Sequence, residues 1–515
     1  MFGRTKYFGH FSVLIMYFMK EKNTESYSHV LKYTGVFGGV QGLNILASLV
    51  RNKLTAVLLG PNGMGLASLL GTTLNFVSQA TNFGISFSGV KHVSQIFDSG
   101  DEAAVEHFVK VIRVWSLLTA LLGMAVCIII SPFLNSSSFT WGNHTLHFLM
   151  LAPAVGLFAI TGGETAILKG ARRLRSLAVI QIYSALLAVV ISVPLYYCFN
   201  QTGIVPVIVL TALSSMLLTI RYSYRLYPLR LSGARSVFGE GLEMVKLGTA
   251  FVLAGVLGSG SEMLVRSYLN VVTGDLDFVG LYNAGFMLTV TYAGVVFSAM
   301  EADYFPRLSA VPDGDVSTLN QTVNRQIEVS LLLISPMLAG FIVTLPLLIP
   351  LLFSANFTPI VSMAQVAVFA MYLKSLSLPI SYTNLAKSNS LGYLLLEFVY
   401  YAAFIVTLMW GFSRWGLFGT GVALVLSYVV ELVTVTLYTH RHYGYVLSSA
   451  VVRYSLLQFA IGALAYSTTF VESAGLRWTL GFLAVITSLG FSLAILRKKT
   501  SLWNALTKKY LRKRA

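Results

Sequence analysis

Two arginines lie inside long apolar stretches of the sequence. Arg51 lies toward the end of a stretch from about residue 33 to 59, and Arg266 toward the end of one from about residue 244 to 272. A guanidinium group in hydrocarbon is costly, so such a residue usually faces a hydrated cavity or a partner side chain. Its planar set of donors matches phosphate and carboxylate groups. The two arginines therefore predict a hydrated interior that binds an anion.

Polar side chains accompany these arginines on one helical face. A spacing of three and four residues places side chains on the same side of a helix. The first stripe comprises Gln41, Asn44, Ser48, Arg51 and Thr55. The second, in the stretch from about residue 64 to 90, comprises Ser68, Thr72, Asn75, Gln79, Asn82 and Ser86. Stripes this polar do not face lipid, so they either hydrogen-bond neighbouring helices or line a cavity, where their amides would bind a polar ligand.

Other charged side chains lie near these stripes. Lys53 is two residues beyond Arg51, about 200° around the helix, so the two cannot line one narrow groove; Lys53 is expected to extend to the outer interface. Glu262 precedes Arg266 by one helical turn, a spacing that predicts an ion pair.

Several carboxylates are candidates for coupling to an ion. Glu262, Glu301 and Asp303 are nearest to the predicted cavity and would couple to H+ or Na+ if transport needs such a drive. The alternative role of Glu301 and Asp303 is to anchor the cytoplasmic end of their span. The remaining single charges within apolar stretches would be either relays or halves of structural pairs, and they are Glu164, Lys374, Glu397 and Glu431.

The elements that position these residues are predicted to be transmembrane helices. The chain has 515 residues, of which 56% are hydrophobic and 11% charged, whereas soluble proteins have about 25% charged residues. This composition excludes most soluble enzymes. About fourteen stretches reach the roughly 20 apolar residues that a membrane span needs, without the alternation of a barrel. Two cysteines and eight histidines show no metal-ligand spacing, so neither a metal nor another cofactor is expected.

The positive charges predict the orientation of these spans. Of 36 Lys and Arg residues, the loops on one side hold only Arg414 and Arg477. Four more lie within spans, namely Arg51, Lys53, Arg266 and Lys374. This leaves thirty Lys and Arg residues for the opposite side. Because cytoplasmic loops are rich in Lys and Arg, both termini are predicted to be cytoplasmic. The net charge of +16 is thereby a topology signal, and nucleic acid is not an expected partner.

An internal repeat predicts two halves with the same orientation. Leu49, Val50, Arg51 and Leu54, followed by Gly65 and Leu66, recur 215 residues later as Leu264, Val265, Arg266, Leu269, Gly280 and Leu281. The copies are six spans apart, which implies parallel bundles around an axis normal to the membrane. The predicted domains are a cytoplasmic extension (1–30), an N-lobe of six spans (31–240), a C-lobe of six spans (241–445), two extra spans (446–497) and a basic cytoplasmic tail (498–515).

The segment from Gly38 to Leu66 resembles a known family. Lys53-Leu54, Ala56-Val57 and the turn from Gly60 to Leu66 are similar to the first helix hairpin of Wzx-type O-antigen flippases, in the MOP (MATE-like) exporter superfamily. Arg266 followed by Val279-Gly280-Leu281 is similar to the equivalent segment of the second half. As a phosphate-binding loop, the Gly60–Gly65 run lacks the Lys-Ser/Thr ending, so a tight turn between spans is expected.

The resemblance implies a twelve-helix core that moves an undecaprenyl-diphosphate-linked oligosaccharide from the cytoplasmic to the periplasmic leaflet of the bacterial inner membrane. It implies no covalent chemistry. It also implies a cationic central cavity, for which Arg51, Lys53 and Arg266 are the matching positions. Polysaccharide polymerase and chain-length proteins would be partners. The two extra spans depart from the family's pattern.

Other functions fit part of the sequence. A MATE-type cation-coupled drug exporter would use acidic rather than basic groups in its cleft, and a lipid II flippase would move a related lipid. A membrane glycosyltransferase or polymerase would need larger outer loops than the ten residues from Leu134 to Asn143. A purely structural scaffold would not need aligned polar stripes.

Overall fold

The computed structural model describes residues 24–140, 142–229 and 238–499, and these are almost entirely helical, with no strand among them. The predicted cytoplasmic extension up to residue 23 and the basic tail from residue 500 lie outside the described residues. The helices are α1 (Thr24–Thr81), α2 (Ile85–Ser99), α3 (Glu102–Ser138), α4 (Thr145–Gly170), α5 (Leu174–Phe199), α6 (Ile204–Leu226), α7 (Phe238–Thr273), α8 (Leu276–Phe286), α9 (Tyr292–Ser309), α10 (Val316–Leu352), α11 (Val361–Ala386), α12 (Ser390–Tyr443), α13 (Ser449–Ser467) and α14 (Ala474–Lys499).

The helices account for the fourteen predicted spans. Among the described residues, nine helical segments are long and apolar enough to cross a membrane. Three of them contain two spans each, and these are Ile45–Thr81, Arg175–Leu226 and Ser390–Tyr443. The helix α7 and the α8–α9 pair supply the other two. The prediction of an all-helical membrane protein is confirmed.

Sharp turns connect several spans on one face of the molecule. Gly60, Gly274 and Gly416 have φ angles of 65°, 65° and 55°, a left-handed region that glycine enters without steric cost. Pro61 follows Gly60 directly and starts the next helical segment, where its missing N–H is not needed. We call this membrane face, which the charge distribution predicts to be periplasmic, the outer face.

The first hairpin has the tight turn between spans that the sequence predicts, and it is made by a single non-helical residue, Gly60, with Pro61 at the first helical position. One prediction about this hairpin needs correction. The second span, predicted to run from residue 64 to 90, breaks between Thr81 and Ile85, where Phe83 and Gly84 adopt positive φ angles of 49° and 72°.

Helix starts on the opposite, predicted cytoplasmic, face are capped by side chains. The carboxylates of Asp101 and Asp315 accept hydrogen bonds from the backbone N–H groups of Ala104 (3.0 Å) and Thr318 (2.9 Å). Asn389 and Ser448 act in the same way at the starts of α12 and α13. These caps satisfy N–H groups that have no partner within the helix.

The apolar core joins the two predicted lobes at the outer face. One cluster contains N-lobe residues such as Leu69 and Ile204 together with C-lobe residues such as Leu269 and Ile349. Toward the opposite face the clusters separate into one in the N-lobe, around Ile112, with a contribution from Val245 of α7, and one in the C-lobe. The lobes are therefore packed together on the outer side and joined mainly by α7 on the other.

Repeat-related glycines meet where the lobes join. A Cβ atom on Gly65 would lie 2.1 Å from the carbonyl oxygen of Leu276, and one on Gly280 would lie 1.9 Å from that of Pro61. Only glycine permits this approach. Because Gly65 and Gly280 are equivalent in the 215-residue repeat, their contact marks the axis between the halves.

The correspondence between the two halves is interrupted a few residues after Gly280. A π-helical segment, Met287–Thr291, separates α8 from α9, whereas the matching part of α1 is regular helix up to Thr81. A π-helical turn contains one more residue than an α-helical one.

Helices α13 and α14 pack on α10, outside the twelve-helix core. Gln458 of α13 is fully buried, accepts a hydrogen bond from Ser488 (2.7 Å) and donates one to Ser492 (2.8 Å), both on α14. The ammonium group of Lys499 pairs with Glu328 of α10.

Candidate functional site

Arg51 lies on a different side of α1 from the exposed apolar side chains of that helix. It is exposed, and at 100° per residue it lies about 120° around α1 from the exposed apolar side chains Leu46, Val50 and Val57. It is nine residues before the outer turn, at a depth of about 13 Å. Thus its charge is exposed well below the outer face, on a side of α1 that differs from the exposed apolar one.

The two residues that follow Arg51 in α1 connect the lobes. The side-chain amide of Asn52 donates to the hydroxyl of Tyr292 at 2.9 Å, and the ammonium group of Lys53 donates to the carbonyl oxygen of Pro350 at 2.9 Å. Pro350 lies in the last turn of α10, where a cation stabilises the negative end of the helix. Lys53 and Arg51 therefore lie on different sides of α1, as the sequence predicts, and Lys53 contacts the C-lobe.

Arg266 connects the lobes in the same region. Only 4% of its side chain is exposed. Its Nε donates to the hydroxyl of Ser68 at 2.7 Å and its Nη2 to Asn283 at 3.2 Å. Its Nη1 lies 3.4 Å from the carboxylate of Glu262, which confirms the predicted ion pair. Arg266 is thus buried between the lobes here, whereas its repeat equivalent Arg51 is exposed.

The second half of α1 lines the interior with polar groups. Between Pro61 and Thr81 the exposed residues are Asn75 and Gln79, one helical turn apart. Gln79 reaches across to the C-lobe, since its amide oxygen would lie 3.1 Å from a Cβ atom on Gly255 of α7. A transmembrane helix that exposes only amides does not face lipid. In the C-lobe, Thr291 is the only exposed residue from Leu276 to Tyr292.

For the other predicted ligand contacts, the structure gives only the position on the helix or a local hydrogen bond. Asn82 donates to the hydroxyl of Ser86 at 2.6 Å across the break after α1. Gln41 and Asn44 lie on α1, and their side chains are outside the described residues. All eight ligand-contact assignments remain predictions.

The predicted coupling carboxylates do not form one cluster among the described side chains. Glu262 is 42% exposed and is paired with Arg266. Glu301 and Asp303 lie on α9, and their side chains are outside the described residues. Their proposed ion coupling remains a prediction.

A second polar cluster lies inside the C-lobe. Lys374 of α11 hydrogen-bonds the hydroxyl of Tyr428 and interacts electrostatically with Glu397 and Glu431, which lie on the two halves of α12. Its ammonium group also lies 5.5 Å from the ring centre of Phe297. The sequence indicates these charges individually, but it gives no signal that the three converge.

Glu164 belongs to a structural pair. Its carboxylate accepts hydrogen bonds from Nε of Arg113 at 2.9 Å and from the hydroxyl of Ser223 at 2.5 Å, and both charged side chains are at least 95% buried. Arg113 also donates to the carbonyl oxygens of Tyr227 and Pro228. Arg113 is buried among α3, α4 and α6, near the end of α6 that the charge distribution predicts to be cytoplasmic.

The site can bind an anionic, hydroxyl-rich ligand without covalent chemistry. It combines an exposed guanidinium, two exposed amides and an outer closure maintained by further donors. No group of three or more potential metal ligands occurs in the described residues.

Solved structures with this fold are membrane transporters. A structure described as the lipid II flippase MurJ in an inward closed conformation has a TM-score of 0.67 at 12% identity, covering 90% of this chain and 99% of that one. An inward-facing multidrug resistance MATE family transporter of the MOP superfamily has a TM-score of 0.65 at 15% identity, covering 80% of this chain and 96% of that one. An outward-facing structure of such a transporter has a TM-score of 0.56 at 14% identity, with 82% and 96% covered.

At these identities the likeness concerns the fold alone. No curated protein sequence matches the chain. A sequence profile of the family described as polysaccharide biosynthesis protein matches residues 54–362, which is more than half of the chain and includes the outer turn, Arg266 and the second half of α1. The chain belongs to the polysaccharide biosynthesis protein family and has the fold of the MOP transporter superfamily.

Proposed function

We propose that this protein is a flippase that moves an undecaprenyl-diphosphate-linked oligosaccharide from the cytoplasmic to the periplasmic leaflet of the bacterial inner membrane. The carrying observation is the exposed guanidinium of Arg51, about 120° around α1 from the exposed apolar side chains and beneath an outer face that is closed. An anion-binding group at that depth is what a lipid diphosphate needs on its way across.

The chemistry of the interior supports this substrate class. Moving an unpaired diphosphate into hydrocarbon costs on the order of tens of kcal/mol, and a fixed cation in a hydrated cavity offsets most of it. The amides of Asn75 and Gln79 can hydrogen-bond sugar hydroxyls while the polyprenyl chain stays in lipid. An inside-negative potential favours outward movement of an anion by about 2.3 kcal/mol per charge per 100 mV.

Alternating access follows from the contacts between the lobes. In the closed outer face, Lys53 donates to Pro350 and Arg266 donates to Ser68, so both cations bind protein groups. Opening this face separates the partners and leaves two cations without their interlobe contacts. A diphosphate that binds Arg51 and these cations would compensate for the lost contacts and thereby favour the outward-open state.

Coupling to H+ or Na+ is proposed to involve carboxylates. Glu262, Glu301 and Asp303 lie on helices that border the interior, and the cluster of Lys374, Glu397 and Glu431 adds a second location. Polysaccharide polymerase and chain-length proteins are proposed partners, because they would use the translocated repeat unit.

The test is complementation with Arg51→Gln in a bacterial host that lacks its own oligosaccharide flippase. Loss of the guanidinium should abolish surface polysaccharide while the protein level on an immunoblot stays unchanged. Arg414→Gln is the matched control, because Arg414 is an exposed arginine in the loop at the outer turn of α12. Normal polysaccharide in the Arg51→Gln strain would refute the proposal.

Two other transport functions have support from the fold comparisons. Drug export is favoured by the carboxylates of the C-lobe cluster and by the likeness to MATE transporters, and it would appear as drug resistance on expression. Lipid II translocation is favoured by the likeness to MurJ, and it would appear as rescue of cells depleted of their lipid II flippase.

A further inference from the structure

A cavity at the outer face lies between the C-lobe and the extra helix pair. Its volume is about 280 Å³. Apolar side chains of α10 and α11 form one wall, and the other wall is formed by residues of the α13–α14 connection and the first turn of α14. The polar lining residues are Gln365, Thr468, Thr469 and Arg477, and Trp478 lies beside them.

Arg477 lies at a position that is unfavourable for a cation without a counter-charge. It is in the first turn of α14, where unpaired N–H groups give the helix its positive end. Its side chain forms no hydrogen bond or ion pair within the described parts of the chain. The adjacent carboxylate, Glu472, is exposed and does not pair with it. An anion in the cavity would compensate both the guanidinium charge of Arg477 and the positive end of α14.

The hydroxyl groups of the cavity favour a ligand that also donates hydrogen bonds. Thr468 and Thr469 donate to the backbone carbonyls of Ala465 (2.7 Å) and Tyr466 (2.6 Å), so their oxygens can only accept from a ligand. A simple phosphate offers few donors at neutral pH, whereas a phosphate esterified to glycerol offers hydroxyls.

The surroundings of the cavity fit a lipid rather than a soluble anion. Leu476, Leu480 and Leu483 are exposed along α14 next to Arg477, on a surface that hydrocarbon chains can cover. Trp478 lies at the level where aromatic side chains meet lipid headgroups.

We propose that this cavity binds the glycerol-phosphate headgroup of an anionic phospholipid in the outer leaflet, with Arg477 on the phosphate and Thr468 and Thr469 on the glycerol hydroxyls. The bound lipid fills the gap between the C-lobe and the α13–α14 pair. This site is separate from the interior around Arg51 and does not depend on the proposed transport.

The test uses the full-length protein in detergent and lipids with brominated acyl chains, which quench nearby tryptophan fluorescence. The contribution of Trp478 is the difference in tryptophan fluorescence between the wild type and Trp478→Phe. Brominated phosphatidylglycerol should quench this signal with a midpoint at least about tenfold lower than brominated diacylglycerol with the same chains. Arg477→Gln should raise the phosphatidylglycerol midpoint about tenfold, since a charge-assisted pair is lost.

Controls separate this site from general lipid contact. Arg414→Gln, at the other outer arginine, should leave the midpoint unchanged, and Arg477→Lys should retain part of the affinity. Soluble glycerol 3-phosphate at millimolar concentration should not displace the lipid. Equal midpoints for the two lipids, equal effects of the Arg477 and Arg414 variants, or full displacement by glycerol 3-phosphate would each overturn the proposal.

Discussion

The backbone contact between Gly280 and Pro61 gives the sharpest test of the alternating-access proposal. Replacing Gly280 by Ala places a Cβ atom 1.9 Å from the carbonyl oxygen and 2.7 Å from the carbonyl carbon of Pro61. Normal contact distances are about 3.5 Å, so the backbones must separate by about 1.5 Å. Because the obstructing atoms are backbone, no side-chain rotation relieves the clash.

The clash destabilises only the conformation in which the outer face is closed. Overpacking typically destabilises by about 1–3 kcal/mol, and two opposed backbones place this contact near the upper value. A loss of about 3 kcal/mol changes the ratio of closed to open outer face on the order of a hundredfold. Gly280→Ala should therefore open the outer face, and Gly65→Ala should have the same effect through its contact with Leu276.

Cysteine accessibility measures this shift. The reporter is Thr72→Cys, a residue 7% exposed on the second half of α1, in a background where the exposed Cys198 is replaced by serine. In intact cells, an impermeant maleimide should label the reporter faster in Gly280→Ala than in the parent. Gly71→Ala is the matched control, because a Cβ atom there meets no atom within 4 Å. Labelling of Gly280→Ala at the rate of this control would refute the reasoning.

Three further predictions concern stability. Glu164→Gln leaves the buried charge of Arg113 without its counter-ion and should cost about 3 kcal/mol or more, seen as a lower melting temperature than for the exposed control Glu472→Gln. Burial and a neighbouring histidine lower the pKa of His144 below its usual 6.5, so the folded state favours the neutral ring; stability should be full above about pH 6.5 and fall as pH drops, less so in His144→Asn. Gln458→Leu removes the hydrogen bonds between α13 and α14 and should increase proteolysis of the connection between them while the core remains intact.

The fold follows closely from the sequence, since span length and charge distribution respond to the membrane rather than to distant contacts. The tight turn of the first hairpin is also expected, because glycine enters the left-handed region and proline tolerates the first helical position. The break at Phe83 and Gly84 has no hydropathy signal, since apolar residues continue across it from Phe83 to Ile85 and Phe87.

The site is less predictable, because it depends on how the lobes meet. Periodicity correctly places Asn75 and Gln79 on an exposed polar face and pairs Glu262 with Arg266. The internal repeat treats Arg51 and Arg266 as equivalent. In this conformation, however, Arg51 is exposed and Arg266 is hydrogen-bonded across the lobes. The pairing of Arg113 with Glu164 joins positions 51 residues apart on different helices, which helical spacing cannot reveal.

The π-helical segment changes how positions in the two lobes correspond. Up to Phe286 a residue's counterpart lies 215 positions earlier, as Gly280 corresponds to Gly65. After one inserted residue the offset becomes 216, and at that offset Thr291, exposed in the C-lobe, corresponds to Asn75, exposed in the N-lobe. Symmetry-guided mutagenesis beyond this segment should use the larger offset, because the smaller one pairs Thr291 with Phe76 and so compares an interior-facing residue with one on a different helix face.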